Sequence, residues 1–462
     1  MAHDRMTAAD AVFLRIETEH EPQHVGSLSL FEGGPLRDAD GAIRLDELRR
    51  HVERRLHRVP RLRQRVREVP LSQGRPVWID DEQFDIEYHV RLTSLPRPGN
   101  RGQLLDLMSR VQAIPLDRDR PLWEMWFVDG LADERVGLML KTHHALGDGI
   151  ANVDLALALV DLEPDPPTDD DVRTWYPRAA TPRSDLLAEA LVEQTTRPWA
   201  IGRRALGAVR NPRPAIDGAG NVVRTVRDFL AKPTPAPWNQ AVGAQRRWVS
   251  ATVPLESVRE VRGHHDATIN DVVLAACTGA LRMFLEERDA RPDETPLRAM
   301  VPVSLRTDDE HGDTLGNRIS LILVDLPIGE PDPAARLADV HQQTSRLKGS
   351  PMVDGAQTIL DLADGIPQIA GPITNFVSRQ IPMNLVVTNV PGPPIPLFLR
   401  GARLEETYPY VEVIDNEGLT IAVVSYDDQL FFGITGDRDV LADLDELASL
   451  IIDEFDVLAA TS

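Results

Sequence analysis

Between Leu122 and Pro164 the chain spells out a hairpin followed by a helix, and the junction between them is the most constrained stretch of the sequence. Leu122-Trp123-Glu124-Met125-Trp126-Phe127-Val128 is rich in aromatic and apolar residues and predicts a strand. Arg135 to Thr142 places Val136, Leu138 and Leu140 on alternate positions, the period of a half-buried strand, and predicts its hairpin partner. A helix is expected from about Gly149 to Asp161, halted by Pro164, Pro166 and Pro167. At the junction stands Thr142-His143-His144-Ala145-Leu146-Gly147-Asp148-Gly149. Two adjacent histidines followed at that spacing by Asp-Gly should arise by chance in such a chain on the order of once in a thousand.

A histidine held at a strand end can keep a neutral imidazole near pH 7 and take a proton from a hydroxyl. His144 is therefore the candidate general base, with His143 beside it. Asp148 lies four positions on, at the start of the helix, too constrained by the turn to be assumed a triad partner. Pairing with an arginine, so as to hold the loop, is its expected role. Gly149, together with Gly147, would let the backbone pass close to the site or adopt a positive φ. An isolated histidine pair more often just packs in a turn; the Asp-Gly and the strand-to-helix setting argue against that here. No His-x-x-x-His or Glu-x-x-His follows on the helix, so no metal site is expected. A second pair, Gly263-His264-His265-Asp266, lacks the spaced Asp-Gly and is expected in a polar surface loop. Cys277, the one cysteine, falls inside an apolar helix and is expected to pack in the core. No Gly-x-Ser-x-Gly is present to support a serine hydrolase.

Strands and helices interleave along all 462 residues, which predicts an α/β or α+β fold with mixed sheets. Residues 1–165 form a first unit, with a helix near Thr7, a strand His24–Phe31 and a helix through Leu45 to Leu56. Residues 166–240 are rich in Pro, Asp and Arg and predict an interlobe linker with helices near Ser184–Gln194 and Val222–Leu230. Residues 241–462 form a second unit: a strand over Arg247–Val253, a helix Asn270–Glu286, strands at Arg298–Val303 and Ile319–Leu326, helices over 333–348 and 353–378, three further strands and a closing helix. Net charge is −22, from 50 basic and 72 acidic residues, which disfavours nucleic acid. Between Arg178 and Lys232, however, basic residues outnumber acidic ones, a local bias that fits either an ordinary solvated linker surface or contact with an anionic membrane surface. No apolar leader is seen near Met1, and a single cysteine suits a reducing compartment, so the cytoplasm is expected. The uncharged run Gln380–Leu399 holds five prolines and cannot be a spanning helix.

His-His-x-x-x-Asp-Gly is similar to the signature of the acyltransferase superfamily of chloramphenicol acetyltransferase, peptide-synthetase condensation domains and the bacterial wax ester synthase/diacylglycerol acyltransferases. The flanking sequence resembles the last of these. Matching stretches are Thr7-Ala8-Ala9-Asp10 through Leu14 with Glu17, His24-Val25-Gly26, Pro121-Leu122-Trp123-Glu124, Asn270-Asp271-Val272-Val273, Pro302-Val303-Ser304-Leu305-Arg306, Leu315-Gly316-Asn317-Arg318, Thr388-Asn389-Val390-Pro391-Gly392-Pro393, and Ser425-Tyr426 with Phe432-Gly433 and Asp437. Gln23 departs from the usual Met.

The resemblance implies two lobes like chloramphenicol acetyltransferase around a central tunnel, with the histidine motif at its middle. It implies acyl-CoA as co-substrate with no bound cofactor, and direct attack by an acceptor hydroxyl of diacylglycerol or a long-chain alcohol. Asn270 would shape or polarise the site, unless it merely caps its helix. Asn389 has similar standing beside the Pro-Gly turn, and Arg306 is the expected partner of Asp148. A protein handling such acceptors would touch the inner membrane or lipid droplets peripherally. Two alternatives keep the fold: a catalytically silent lipid-binding or droplet protein, or an acyltransferase for an unusual polyketide or glycolipid hydroxyl.

Overall fold

The computed structural model describes residues 3–147, 159–166, 175–192, 235–290, 297–304, 319–348 and 383–461. Two six-stranded mixed sheets form its frame. The first runs in the order β12-β13-β2-β7-β6-β5, built from β2 (His24–Phe31), β5 (Val90–Ser94), β6 (Trp123–Asp129), β7 (Val136–His143), β12 (Phe398–Leu399) and β13 (Ala402–Val411). The second runs β10-β9-β11-β14-β15-β8, from β8 (Arg246–Pro254), β9 (Leu297–Ser304), β10 (Ile319–Leu326), β11 (Leu385–Pro391), β14 (Leu419–Tyr426) and β15 (Gln429–Asp437). A small third sheet joins β1 (Asp4–Arg5), β4 (Val77–Asp80) and β3 (Gln64–Arg67). The mixed α/β class expected from the sequence holds.

The expected hairpin is present: β6 and β7 pair antiparallel, with Trp123 opposite Thr142 and Val128 opposite Gly137. On its other side β7 pairs with β2, which brings His24 opposite His143. The sequence reading passed over β13 because Glu405, Glu406 and Pro409 interrupt its alternation. A register shift between Leu404 and Glu406 absorbs the irregularity, and Val411 then lies opposite Val25. β12 and β13, although they fall within 241–462, complete the sheet of the first unit.

Helices α1 (Ala8–Ile16), α2 (Leu45–Arg55), α3 (Ile86–His89) and α4 (Arg101–Ala113) belong to the first unit. Thr7 caps α1 by accepting the Asp10 N–H, and an Asn100–Gln103 capping box starts α4. The orphan carbonyls at the end of α4 are met by Lys141 on β7, whose Nζ donates to Val111 O at 2.8 Å and to Ile114 O. Burial pushes that ammonium down to about 8. Helix α5 (183–192) matches one of the two expected in the 166–240 segment. Leu186 packs on Val77 and Ile79 of β4, and Asp80 is clasped by Arg178 at 3.0 Å. The rest of that segment's expected features, including the helix near Val222 and Arg203, Arg204 and Arg210, lie outside the described residues. So does the helix over 353–378.

In the second unit α6 (Leu255–His265), α7 (Ile269–Glu286), α8 (Pro333–Lys348) and α9 (Leu444–Ala459) are the described helices. α7 is apolar on nearly all sides and is buried accordingly, with Val273, Cys277 and Leu281 fully enclosed. Cys277 is a core residue as expected, and burial pushes its thiol up to about 12. His264 and His265 lie not in a loop but in the last turn of α6, which Asp266 ends in the left-handed region at φ 48. His265 Nε2 lies 3.3 Å from Thr461 Oγ1, just past the end of α9. Among the described residues no single helix is long and apolar enough to cross a membrane.

The two large sheets are tied together beside the histidine motif. Arg246 on β8 is buried against Glu412, just after β13, and also donates to the carbonyl of His20. Trp248 N–H donates to Ser109 of α4 at 3.1 Å. Where β15 crosses β13 only glycine fits at position 433, since a Cβ there would lie 1.7 Å from Pro409 O.

Candidate active site

β7 delivers the motif and a 3₁₀ turn, His144–Leu146, ends it. Two backbone bonds fix the position: His143 N donates to Leu122 O at 3.0 Å and His144 N donates to Gln23 O at 2.8 Å. The stretches that flank the motif in the sequence are thus its immediate supports.

The two histidines have different surroundings. His143 is fully buried, and its Nδ1 accepts the Ala145 N–H at 2.9 Å. Accepting there leaves the proton on Nε2. Nε2 faces Glu17 Oε1 at 3.4 Å. Glu17 ends α1 and is gripped by Arg118, whose Nε donates to Oε2 at 2.8 Å. Burial would raise this carboxyl, but His143 and Arg118 outweigh it and hold Glu17 at about 2. His24, opposite His143, donates from Nδ1 to Gln112 O at 3.0 Å, and burial keeps its ring neutral by lowering its pKa well below the usual value. His143 is therefore a fixture of the scaffold.

His144 is held differently. Its ring stacks on Phe13 of α1 with centroids 3.9 Å apart and planes 9° apart. Nδ1 is buried without a hydrogen-bond partner. Burial pushes the imidazole down from 6.5 to about 4, so it is neutral at pH 7. A neutral, partly buried ring oriented by stacking, with no hydrogen bond to another side chain among the described residues, has what a general base needs.

Of the other expected site residues, Asn270 lies in the first turn of α7, but it is not the cap: Thr268 accepts the Asp271 N–H, and Asp271 returns the bond in a capping box. Asn270 Nδ2 is instead buried, with no hydrogen-bond partner among the described residues. Asn389 sits partly buried on β11, opposite Val423 of β14. Among the described residues neither asparagine hydrogen-bonds to a motif histidine. Asp148, Gly149 and Arg306 lie outside the described residues, and so does their pairing. Gly147 adopts extended backbone at φ 166 and needs no left-handed conformation. Glu17 was legible only as one position of a family resemblance. It stands 126 residues before His143, and no local pattern links them.

Residues 6–273 match the wax ester synthase/diacylglycerol acyltransferase catalytic domain, and residues 315–459 match the WS/DGAT C-terminal domain. A Mycobacterium tuberculosis H37Rv protein named "Probable diacyglycerol O-acyltransferase tgs1" is 34% identical over 99% of this chain and 96% of its own length. Its counterpart named tgs2 is 35% identical, covering 96% of each. Among solved structures, the wax ester synthase/diacylglycerol acyltransferase from Marinobacter aquaeolei VT8 is similar at TM-score 0.68 and 27% identity, over 99% of both chains. The starter condensation domain of rhizomide synthetase shares the fold at TM-score 0.61 and 13% identity, over 99% of this chain and 95% of that one. With the motif's two histidines at the end of a strand and both family domains matched in order, this chain belongs to the wax ester synthase/diacylglycerol acyltransferase family and is an O-acyltransferase.

Proposed function

We propose that the chain moves a long-chain acyl group from acyl-CoA to the hydroxyl of diacylglycerol or a long-chain alcohol, with His144 as general base. The observation that carries this is the difference between the histidines: His143 accepts the Ala145 N–H and has Glu17 Oε1 3.4 Å from its Nε2, whereas His144 is neutral and stacked on Phe13. His144 takes the hydroxyl proton as the oxygen attacks the thioester carbonyl. The tetrahedral intermediate collapses with cleavage of the C–S bond, and the imidazolium returns its proton to the departing thiolate of CoA. No covalent acyl-enzyme or bound cofactor takes part. The names of the mycobacterial relatives support diacylglycerol as acceptor class.

Asn270 is suited to hold substrate because its buried Nδ2, a donor, has no acceptor among the described residues. Asn389 and Arg306 are proposed to line the same site, with Arg306 pairing to Asp148 to hold the loop that ends in Gly149. The cytoplasmic chain would meet the inner membrane or a droplet peripherally through the basic residues around Arg203, Arg204 and Arg210. Salt-sensitive binding to anionic liposomes, lost on changing those three to Glu, is the expected outcome.

The test of the reaction is thiol release from palmitoyl-CoA with dioleoylglycerol or hexadecanol. His144→Ala, shown folded by circular dichroism, should lose activity by roughly 10²–10⁴-fold. A wild-type rate in that variant removes the general-base assignment.

A further inference from the structure

Phe13 on α1 and Glu17 at its C-cap are four residues apart, the spacing that puts two side chains on one helix face, and the Glu17 N–H donates to Phe13 O at 3.2 Å. Each faces one histidine of the motif. Glu17 brings a carboxylate to within 3.4 Å of Nε2 of His143, whereas Phe13 lays an aromatic ring against His144. Among the described residues no carboxylate forms an ion pair with His144, and its Nδ1 has no hydrogen-bond partner. A Ser-His-Asp triad backs its imidazolium with an acid; this ring has none there. Burial disfavours the charged form of His144, and the charge of neighbouring His143 opposes it further. Taking a proton from a hydroxyl therefore creates a cation where the surroundings resist one, and the group lying flat against that cation is Phe13.

The geometry of the pair suits the charged ring better than the neutral one. Neutral aromatic rings prefer offset or edge-on contacts with centroids about 4.5–7 Å apart, because full overlap sets like quadrupoles against each other. The centroids of Phe13 and His144 are 3.9 Å apart and their planes 9° from parallel. His89, a stacked histidine away from the motif, stands further off, at 4.4 Å from Trp123 and 5.2 Å from Phe84, with Nδ1 bonded to Trp123 O at 2.8 Å. A cation over the negative face of a phenyl ring is attracted to it, and the more so where water is excluded. The contact thus strengthens as the proton arrives, and only an interaction stronger in the transition state than before it accelerates the step. Phe13 is kept in place by packing against a buried cluster that includes Leu14, Trp78, Leu122 and Ala145.

We infer that the face of Phe13 stabilises the positive charge His144 acquires as it takes the hydroxyl proton, in the role that a carboxylate fills for other histidine bases. The inference rests on His144 being the general base, and Phe13 acts through it. In the full chain, Phe13 alone is replaced through a nonsense codon by 4-fluoro-, 3,5-difluoro- and 3,4,5-trifluorophenylalanine. Fluorine drains negative charge from the ring face and changes its size little. For thiol release from palmitoyl-CoA with hexadecanol, kcat should fall stepwise, by about threefold to thirtyfold across the series. kcat/KM should fall by the same factor, as for a contact made only in the transition state. Phe13→Leu, apolar but without a π face, should lose at least as much. In a His144→Ala background, where no cation forms, fluorination should leave the residual rate unchanged. A residual rate that falls in step with the series would reduce the ring to a packing element and overturn the inference. A flat series beside an inactive His144→Ala overturns it too, and leaves the base reading standing. His144→Ala at the wild-type rate removes the base reading, and this inference with it.

Discussion

Glu17 Oε1 lies 3.4 Å from Nε2 of His143, and Arg118 holds the same carboxylate from the other side. The acid at the end of the first helix thus braces a motif that begins more than a hundred residues later. Glu17→Ala would remove the carboxylate that faces the buried Nε2 of His143 and would leave Arg118 only its bond to Leu14 O. The expected cost is about 1–3 kcal/mol of folding stability. Because His143 and His144 share a backbone, kcat should fall by about tenfold or more, with KM less affected. Glu17→Gln, which keeps an acceptor, should be milder on both counts. Urea unfolding and initial rates of thiol release measure the two effects; a variant unchanged in both would mean that the contact positions nothing.

The pH profile should show the effect of burial on His144. Its folded-state value of about 4 lies below the ordinary 6.5, so the base stays unprotonated down to about pH 4. kcat/KM should be flat from pH 7 to about 5 and fall only near 4; an inflection near 6.5 would contradict this. Stability follows the same sign. Between 4 and 6.5 the unfolded chain binds more protons at this residue than the folded one, so this contribution is full above 6.5 and declines as pH falls towards 4. Glu17, held at about 2 against an ordinary 4.5, loses its contribution as pH falls from 4.5 towards 2.

The Arg246–Glu412 pair should behave as a coupled unit. Both groups are buried, and burial raises the pKa of the Glu412 carboxyl while Arg246 opposes it. Arg246→Met alone strands that acid and should cost about 3–5 kcal/mol, whereas adding Glu412→Gln should recover much of the loss. A double-mutant cycle on urea unfolding tests this, and additive effects would show the pair to be uncoupled.

Gly433→Val should be among the most damaging small changes away from the motif. Its Cβ would be driven into the carbonyl of Pro409 at the crossing of β15 and β13, where backbone rather than a flexible side chain must yield. Overpacking of this kind costs about 1–3 kcal/mol or more. Loss of soluble folded protein, or a lowered urea midpoint, is the expected readout. By contrast, Gly263→Ala in α6 meets nothing within 4 Å and should raise stability by up to about 0.5–1 kcal/mol.

Local pattern sufficed for much of this molecule. The β6–β7 hairpin, β2, α7 and the closing helix were legible because alternation and helical periodicity record which face of each element is buried. The motif itself pointed to His144, since a strand end followed by a turn is a local property. What local pattern could not carry was contact across the sequence. β13 crosses from 398–411 to complete the first sheet, and its charges and proline hide its period, so only pairing with β2 makes it a strand. The separation of His143 from His144 rests on Glu17, Arg118 and Phe13, brought in by α1 and by the segment before β6. Thr268 rather than Asn270 caps α7 because Asp271 closes the capping box with it, leaving the neighbouring amide buried and unpaired. The sequence by itself determined the elements, through nearest-neighbour periodicity, and singled out the histidine pair through its local motif. Tertiary structure decided which histidine is held and which is left open, because hydrogen-bond partners and burial are set by residues far apart in the chain.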